Sequence, residues 1–144
     1  MTNSSNKPKA SFWIIVIIAF IWNLMGVFAY IAQAYMSDED LAALPENQRA
    51  LYENVPAWVT AAFAISVFGG ALGCILLLLK KKMATTVFVI SFVAILAQMT
   101  YNFFMSKAVE VYGPGGMIMP IMVIIIGYFL IYYSKRAANY GWIS

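Results

Sequence analysis

The sequence predicts an all-α fold: a polytopic membrane protein in which four transmembrane helices form an antiparallel bundle with both termini in the cytoplasm. Four long stretches contain no Asp, Glu, Lys or Arg, and short charged segments separate them. Hydrophobic residues make up 63% of the chain and charged residues 10%, whereas a soluble domain has about 45–50% and about 25%. Lipid is therefore the natural solvent for this chain, and we expect residues 1–144 to form one transmembrane domain.

The first span is predicted over residues 11–36, after a polar tail at 1–10. It is longer than the roughly 20 helical residues that cross the hydrocarbon core of a bilayer. Ala32-Gln33-Ala34 matches a signal-peptide cleavage pattern, but the apolar core of a signal peptide is only about 7–15 residues long. We therefore expect the first span to be retained.

The other three spans are predicted over residues 57–79, 83–105 and 117–133. Pro56 precedes the second span, and proline suits the first turn of a helix. Three lysines at 80–82 separate the second span from the third. So short a turn makes these two spans an antiparallel hairpin.

Lysine and arginine are distributed unevenly between the two sides of the predicted bundle. Seven of the nine lie in the N-terminal tail, the 80–82 turn and the C-terminal tail, and two lie in the loops 37–56 and 106–116. All six acidic residues lie in those two loops. Because cytoplasmic segments carry the excess of Lys and Arg, we expect the two loops on the outer side of a bacterial inner membrane.

The first outer loop, 37–56, has predicted structure of its own. Ser37 suits a helix N-cap, and the three acidic residues after it lie in the first turn, where the helix dipole favours negative charge. A second short helix is predicted over residues 46–54. The loop is either a connector on the membrane surface or a lid over an outward-facing cavity.

Uncharged polar side chains recur at helical spacing on one face of the first span and one face of the third, mostly toward their outer ends. The candidate ligand-binding residues are Asn23, Tyr30, Gln33, Gln98, Tyr101 and Asn102. An amide in hydrocarbon needs a partner, so both faces should point into the bundle. These groups either hydrogen-bond between helices, at about 0.6 kcal/mol per bond, or line an outward-facing pocket for a small neutral polar ligand.

Small side chains recur on one face of the second span, at Ala62, Ser66, Gly69 and Gly73. The Gly69-x-x-x-Gly73 spacing lets the backbones of two helices approach closely. This face either packs within the chain or forms the seam with a second copy or a larger complex.

Ionisable acids and bases are absent from the interior of all four predicted spans. This argues against proton coupling, which needs Asp, Glu or His within the membrane, and against acid–base catalysis there. The chain has no His, and its only cysteine, Cys74, lies in an apolar run that suits a packing residue. We therefore expect no enzyme activity, no cofactor, no metal site and no nucleic-acid partner.

Five short segments carry a resemblance to known proteins: Ser11-Phe12-Trp13, Trp22-Asn23-Leu24-Met25-Gly26, Pro56-Ala57-Trp58-Val59-Thr60, Gly69-Gly70-Ala71-Leu72-Gly73 and Tyr101-Asn102-Phe103-Phe104. Together they resemble a group of short four-span bacterial inner-membrane proteins that are often labelled sugar transporters or hypothetical and have no established function. The resemblance covers nearly the whole chain and assigns no site residues.

Two functions follow as expectations. The leading hypothesis is a transporter-like or solute-binding protein that takes a small neutral polar ligand, by facilitated diffusion rather than proton coupling. A homo-oligomer is expected, because one small bundle offers little room for a pathway. The alternative is a non-catalytic accessory subunit, in which the face of small side chains on the second span packs on a larger membrane complex.

Overall fold

The computed structural model describes residues 7–53, 55–105, 110, 113, 115 and 118–144, and within them the chain is helical with no strand. The helices are α1 (Ala10–Ala34), α2 (Asp38–Ala42), α3 (Glu46–Glu53), α4 (Ala57–Leu78), α5 (Met83–Thr100) and α6 (Ile118–Asn139), and a π-helical turn at Tyr101–Met105 extends α5. Four of them are long and apolar enough to cross a membrane. The prediction of an all-helical chain with four membrane-length helices is confirmed.

The predicted outer loop 106–116 lies outside the described residues, apart from positions 110, 113 and 115. The first six residues of the predicted polar tail lie outside them as well. In the loop 37–56, the predicted N-cap is confirmed, because the hydroxyl of Ser37 accepts a hydrogen bond from the backbone N–H of Asp40 at 3.1 Å.

The last long helix, α6, continues six residues beyond the predicted end of its span at residue 133 and ends at Asn139. Apolar sequence marks where hydrocarbon ends, whereas the helix ends where its backbone is capped. Gly141 has a positive φ of 79°, and the N–H of Trp142 donates to the carbonyl of Ala137 at 2.9 Å. This pattern is the Schellman motif, in which glycine terminates a helix.

The same motif ends α4, but with a lysine where glycine is usual. Lys80 has a φ of 58°, and the N–H of Lys81 donates to the carbonyl of Leu76 at 2.8 Å. The chain therefore reverses within a few residues and enters α5 at Met83. The carbonyl and N–H of Ser144 pair with the N–H of Lys82 and the carbonyl of Lys80, so the last residue packs on this turn.

Helices α4 and α5 form the centre of the structure, and their contact depends on glycine. A Cβ added at Gly73 would lie 2.5–2.9 Å from the ring of Phe88, and one at Gly69 would lie 3.1 Å from the Cβ of Ser91. The hydroxyl of Ser91 donates to the carbonyl of Ser66 at 2.7 Å across this contact. Helix α1 packs on α4, and α6 packs on α5.

We divide the four long helices into two halves. The terminal half comprises residues 10–19, 71–78, 83–88 and 130–139, and the loop half comprises residues 20–34, 57–70, 89–100 and 118–129. In the terminal half, α1 meets α6 through the fully buried ring of Phe12. The centroid of this ring lies 5.1 Å from the ring centroid of Trp13, 6.1 Å from that of Tyr133 and 5.8 Å from that of Trp142.

Candidate functional site

A cavity of about 370 Å³ lies in the loop half and reaches the border of the terminal half, with walls from all four long helices. Its volume falls within the range typical of small-molecule sites, about 300–1,000 Å³. Aromatic and aliphatic side chains such as Phe63, Phe88 and Leu130 form most of its surface. Five residues of its wall carry a polar side-chain group: Trp22, Asn23, Ser66, Ser91 and Gln98. No charged side chain of the described residues lines the cavity.

Three glycines of the cavity wall lie at close contacts with a neighbouring helix: a Cβ added at Gly26 would lie 3.0 Å from Val67, and one at Gly127 would lie 3.0 Å from Phe92. Gly26, Gly70 and Gly127 lie on α1, α4 and α6, and all three belong to this wall.

The two outer helices do not close over the cavity, because extensive contacts run from α1 to α4, from α4 to α5 and from α5 to α6. Met25 of α1 and Met119 of α6 line the cavity and are 60% and 58% exposed. The wall between α1 and α6 is therefore open at this depth.

The two serines of the wall use their hydroxyl protons within the protein. Ser66 donates to the carbonyl of Phe63 at 2.8 Å, and Ser91 donates to the carbonyl of Ser66 at 2.7 Å. Both residues are buried between α4 and α5. Their hydroxyls therefore fix the packing of these helices and offer no free donor to a ligand.

Asn23 joins α1 to α4 at the edge of the cavity. Its Nδ2 donates to the carbonyl of Ala19 at 2.9 Å and to Sγ of Cys74 at 3.6 Å. Its Oδ1 lies directly above Gly70, where an added Cβ would come within 2.0 Å of it. The amide of Asn23 is thus held in place by the close approach of α1 to α4, and Oδ1 is the atom it can offer to a ligand.

Gln98 contributes the second amide of the cavity wall, from α5. Its side chain is half-buried. In the part of the chain that the structure describes, no group hydrogen-bonds to this amide, in contrast to Asn23. Gln98 is therefore a residue of the cavity wall whose amide no described group engages.

The structure brings two of the six candidate ligand-binding residues, Asn23 and Gln98, to one cavity, and the other four do not line it. The ring of Tyr30 packs edge-on against Phe63 and Phe68, at 5.4 and 5.7 Å between centroids. Tyr101 packs in the same way against Trp58, at 5.9 Å.

A change of helix type explains why the predicted face of the third span breaks up. The π-helical turn begins at Tyr101, and each hydrogen bond in such a turn spans five residues instead of four. The angular spacing of an α-helix therefore cannot be extended from Gln98 to Asn102. Gln33 is half-buried on α1, and it too lies outside the cavity wall.

The face of small residues on α4 is covered within the chain. Gly69 and Gly73 face Ser91 and Phe88 of α5, and Ala62 and Ser66 are buried. These residues therefore pack within the chain, and the accessory-subunit hypothesis stays a prediction.

Most of the cavity wall is apolar and was not predicted from the sequence. A search for polar side chains cannot find such a wall, because Phe63, Val67 and Leu130 look like ordinary lipid-facing or core residues in the sequence. The three wall glycines give no signal of it either, because each lies at a close contact with a neighbouring side chain.

Comparisons with protein-family models, with curated proteins and with solved structures found no match for this chain. Among the described residues, no group of three or more His, Cys, Asp and Glu side chains lies close enough to hold a metal ion.

Proposed function

We propose that this protein is a small transporter-like or solute-binding protein of a bacterial inner membrane, and that it binds a small uncharged ligand in the cavity of the loop half. In this proposal the four long helices form an antiparallel transmembrane bundle with both termini in the cytoplasm. The excess of lysine and arginine at the terminal side supports this orientation, seven residues against two. The cavity then belongs to the outer half of the bundle.

The observation that carries the proposal is Gln98, a residue of the cavity wall whose amide has no hydrogen-bond partner among the described residues. An unpaired amide away from water costs about 1–3 kcal/mol. A ligand with one donor and one acceptor would recover this free energy. A charged ligand would not, because the described residues of the cavity wall offer no opposite charge and a buried unpaired ion is far more costly.

Transport in this proposal is facilitated diffusion. The described helices place no acid or base at the cavity wall that could couple movement to protons. The ring of Phe12 and its neighbours Tyr133 and Trp142 close the terminal half. Release toward the cytoplasm therefore requires α1 and α6 to separate there, or a pathway between copies of a homo-oligomer.

Ligand binding can be tested with a panel of uncharged molecules and one pair of variants. The panel comprises glycerol, glucose, hexanol and octanol, and thermal unfolding of the full chain in lipid nanodiscs is the measurement. A ligand at 100 times its Kd adds about 2.7 kcal/mol to the free energy of unfolding. We expect at least one compound to stabilise the wild-type protein.

Gln98→Leu should weaken the binding of that compound by about 2- to 10-fold, the worth of one hydrogen bond. Gln33→Leu makes the same chemical change outside the cavity and should bind like wild type. The proposal fails if no compound stabilises the wild-type protein, or if Gln98→Leu binds as tightly as Gln33→Leu.

The orientation has its own test, which uses cysteine labelling in intact cells. Asn47 on α3 and Asn139 at the end of α6 are both exposed. In a Cys74→Ala background, a membrane-impermeant maleimide should label Asn47→Cys and should label Asn139→Cys only after lysis. Labelling of Asn139→Cys in intact cells would reverse the proposed topology.

A further inference from the structure

The wall of the cavity is suited to a ligand that is mostly apolar. A sugar or polyol would bring several hydroxyls into contact with side chains such as Phe63, Phe88 and Leu130, which cannot hydrogen-bond. Each unpaired hydroxyl would cost about 1–3 kcal/mol on the scale of protein mutations. Gln98 lies toward the loop end, whereas Oδ1 of Asn23 lies against α4 at the deep end, so the two cannot share one polar group and most of the ligand must be hydrocarbon.

The position of Gln98 within the cavity sets the direction in which such a ligand lies. Gln98 is ten residues from Phe88 along α5, a distance of about 15 Å along the helix axis. Phe88 and Leu130 mark the deep end of the cavity, at the border of the terminal half. The polar group of the ligand therefore lies toward the loop end and its apolar body toward the middle of the bundle, the same direction as a lipid in that leaflet.

The size of the cavity limits the ligand to a small amphiphile. The volume of about 370 Å³ lies near the lower end of the range for small-molecule sites, about 300–1,000 Å³. A membrane phospholipid with two acyl chains is far larger than this, whereas a single medium-length chain with a small head group fits.

The open wall faces the hydrocarbon of the bilayer. Met25 and Met119 border the opening on α1 and α6, and their neighbours Ile21 and Met122 are exposed on the surface of the same helices. Exposed apolar side chains on membrane-length helices are lipid-facing. A ligand can therefore enter from the bilayer between α1 and α6 without crossing the aqueous loop end.

From these observations we infer that the ligand is an uncharged, single-chain amphiphile that enters from the bilayer between α1 and α6, with its head group at Gln98 and its chain toward Phe88 and Leu130. The inference rests on the proposed function, which it narrows from any small uncharged ligand to this class and this route.

Photolabelling with an octanol that carries a diazirine on its chain tests the inference. The full chain in phosphatidylcholine nanodiscs is irradiated with this probe, and the labelled positions are found by peptide mass spectrometry. We expect labels on cavity-wall residues of α1, α5 and α6, and we expect excess plain octanol to remove them. Labels spread evenly over the lipid-facing residues, without competition, would overturn the inference.

Two variants of α6 distinguish the cavity from the lipid surface. Val123 lines the cavity, and Val123→Phe should lower cavity labelling about tenfold, which corresponds to about 1.4 kcal/mol. Ile125 is exposed to lipid on the same helix, and Ile125→Phe should label like wild type. Equal labelling of the two variants would contradict the assigned site, and competition in the wild-type protein decides the question should Val123→Phe fail to fold.

The outcome also separates this inference from the proposed function. Should glycerol or glucose stabilise the protein through Gln98 while octanol labels only the lipid surface, the amphiphile inference falls and the proposed function stands. Should neither kind of compound bind in the cavity, both fall.

Discussion

The two halves of the same four helices differ in how tightly they are packed. The buried hydrophobic cluster of the described residues lies in the terminal half and the residues that follow it, and its members are Phe12, Val16, Ala19, Cys74, Leu77, Ala84, Phe88, Leu130, Ala137 and Ile143. The loop half holds the cavity instead.

The difference arises mainly where α1 faces α6. In the terminal half, Phe12 fills the space between these helices and contacts the rings of Tyr133 and Trp142. In the loop half, Gly26 and Gly127 of the same two helices line the cavity. Lipid provides no hydrophobic force that would drive helices together, so close packing is what holds them. Aromatic rings between α1 and α6 therefore close the terminal half, whereas in the loop half the cavity lies beside these helices.

Among the variants that test this difference in packing, Phe12→Ala should lower the free energy of unfolding the most. It removes a fully buried ring from the contact between α1 and α6. A buried Phe→Ala change costs about 3–5 kcal/mol in water-soluble proteins, and we expect about 1–3 kcal/mol here because the ring leaves lipid rather than water. Reversible unfolding in bicelles is the measurement.

Phe28→Ala is the matched control for this prediction. Phe28 lies in the loop half of the same helix and is 68% exposed, so its removal should change the free energy of unfolding by less than about 0.5 kcal/mol. An equal loss of unfolding free energy in the two variants would show that the halves do not differ in packing.

The next effect concerns the close contact between Gly70 and Asn23 at the border of the cavity. Gly70→Ala would place a Cβ within 2.0 Å of Oδ1 of Asn23, and overpacking of this kind costs about 1–3 kcal/mol. Asn23→Ala removes the clash, so the double variant should be more stable than the sum of the single variants predicts, by about 0.5–3 kcal/mol.

Gly69→Ala provides the control for this cycle. Gly69 faces Ser91 on α5 instead of α1, and Asn23→Ala should leave the cost of Gly69→Ala unchanged. Rescue of both glycine variants by Asn23→Ala would mean that Asn23 does not act through Gly70.

The smallest predicted effect lies in the terminal half, at the hydrogen bond between α5 and α6. Thr85 donates to Oγ of Ser134 at 2.9 Å, and Thr85→Val should destabilise the protein by about 0.6 kcal/mol, the average for such bonds in a membrane protein. The neighbouring Thr86 is exposed, and Thr86→Val should be neutral within error. A cost for Thr86→Val that matched that of Thr85→Val would refute a specific role for the bond.

The four long helices could be predicted from the sequence, whereas most of the cavity wall could not. The reason is physical. An apolar run of more than 20 residues with no charge has few alternatives to a membrane-length helix, because every backbone group must be satisfied in lipid. The way helices face one another depends on contacts between distant residues, which helical periodicity does not contain. Asn23 and Gln98 line the cavity, whereas Tyr30 lies within helical spacing of Asn23 and packs on aromatic rings instead.

The cavity could not be predicted from the glycines of its wall either, because each of them marks a close contact. Gly70 accepts Asn23, and a Cβ added at Gly26 or Gly127 would lie 3.0 Å from Val67 or Phe92. The space between α1 and α6 depends on the positions of these helices, which no single residue type specifies.

The same enlargement made once in each half tests the central contrast most directly. Val16 is fully buried in the terminal half of α1, and Val123 lines the cavity in the loop half of α6. We expect Val16→Phe to lower the free energy of unfolding by about 1–3 kcal/mol through overpacking. Val123→Phe should be neutral or stabilising by up to about 1 kcal/mol, because it fills empty space. A cost for Val123→Phe equal to that of Val16→Phe would contradict the account, since it would mean that the loop half has no open cavity to fill.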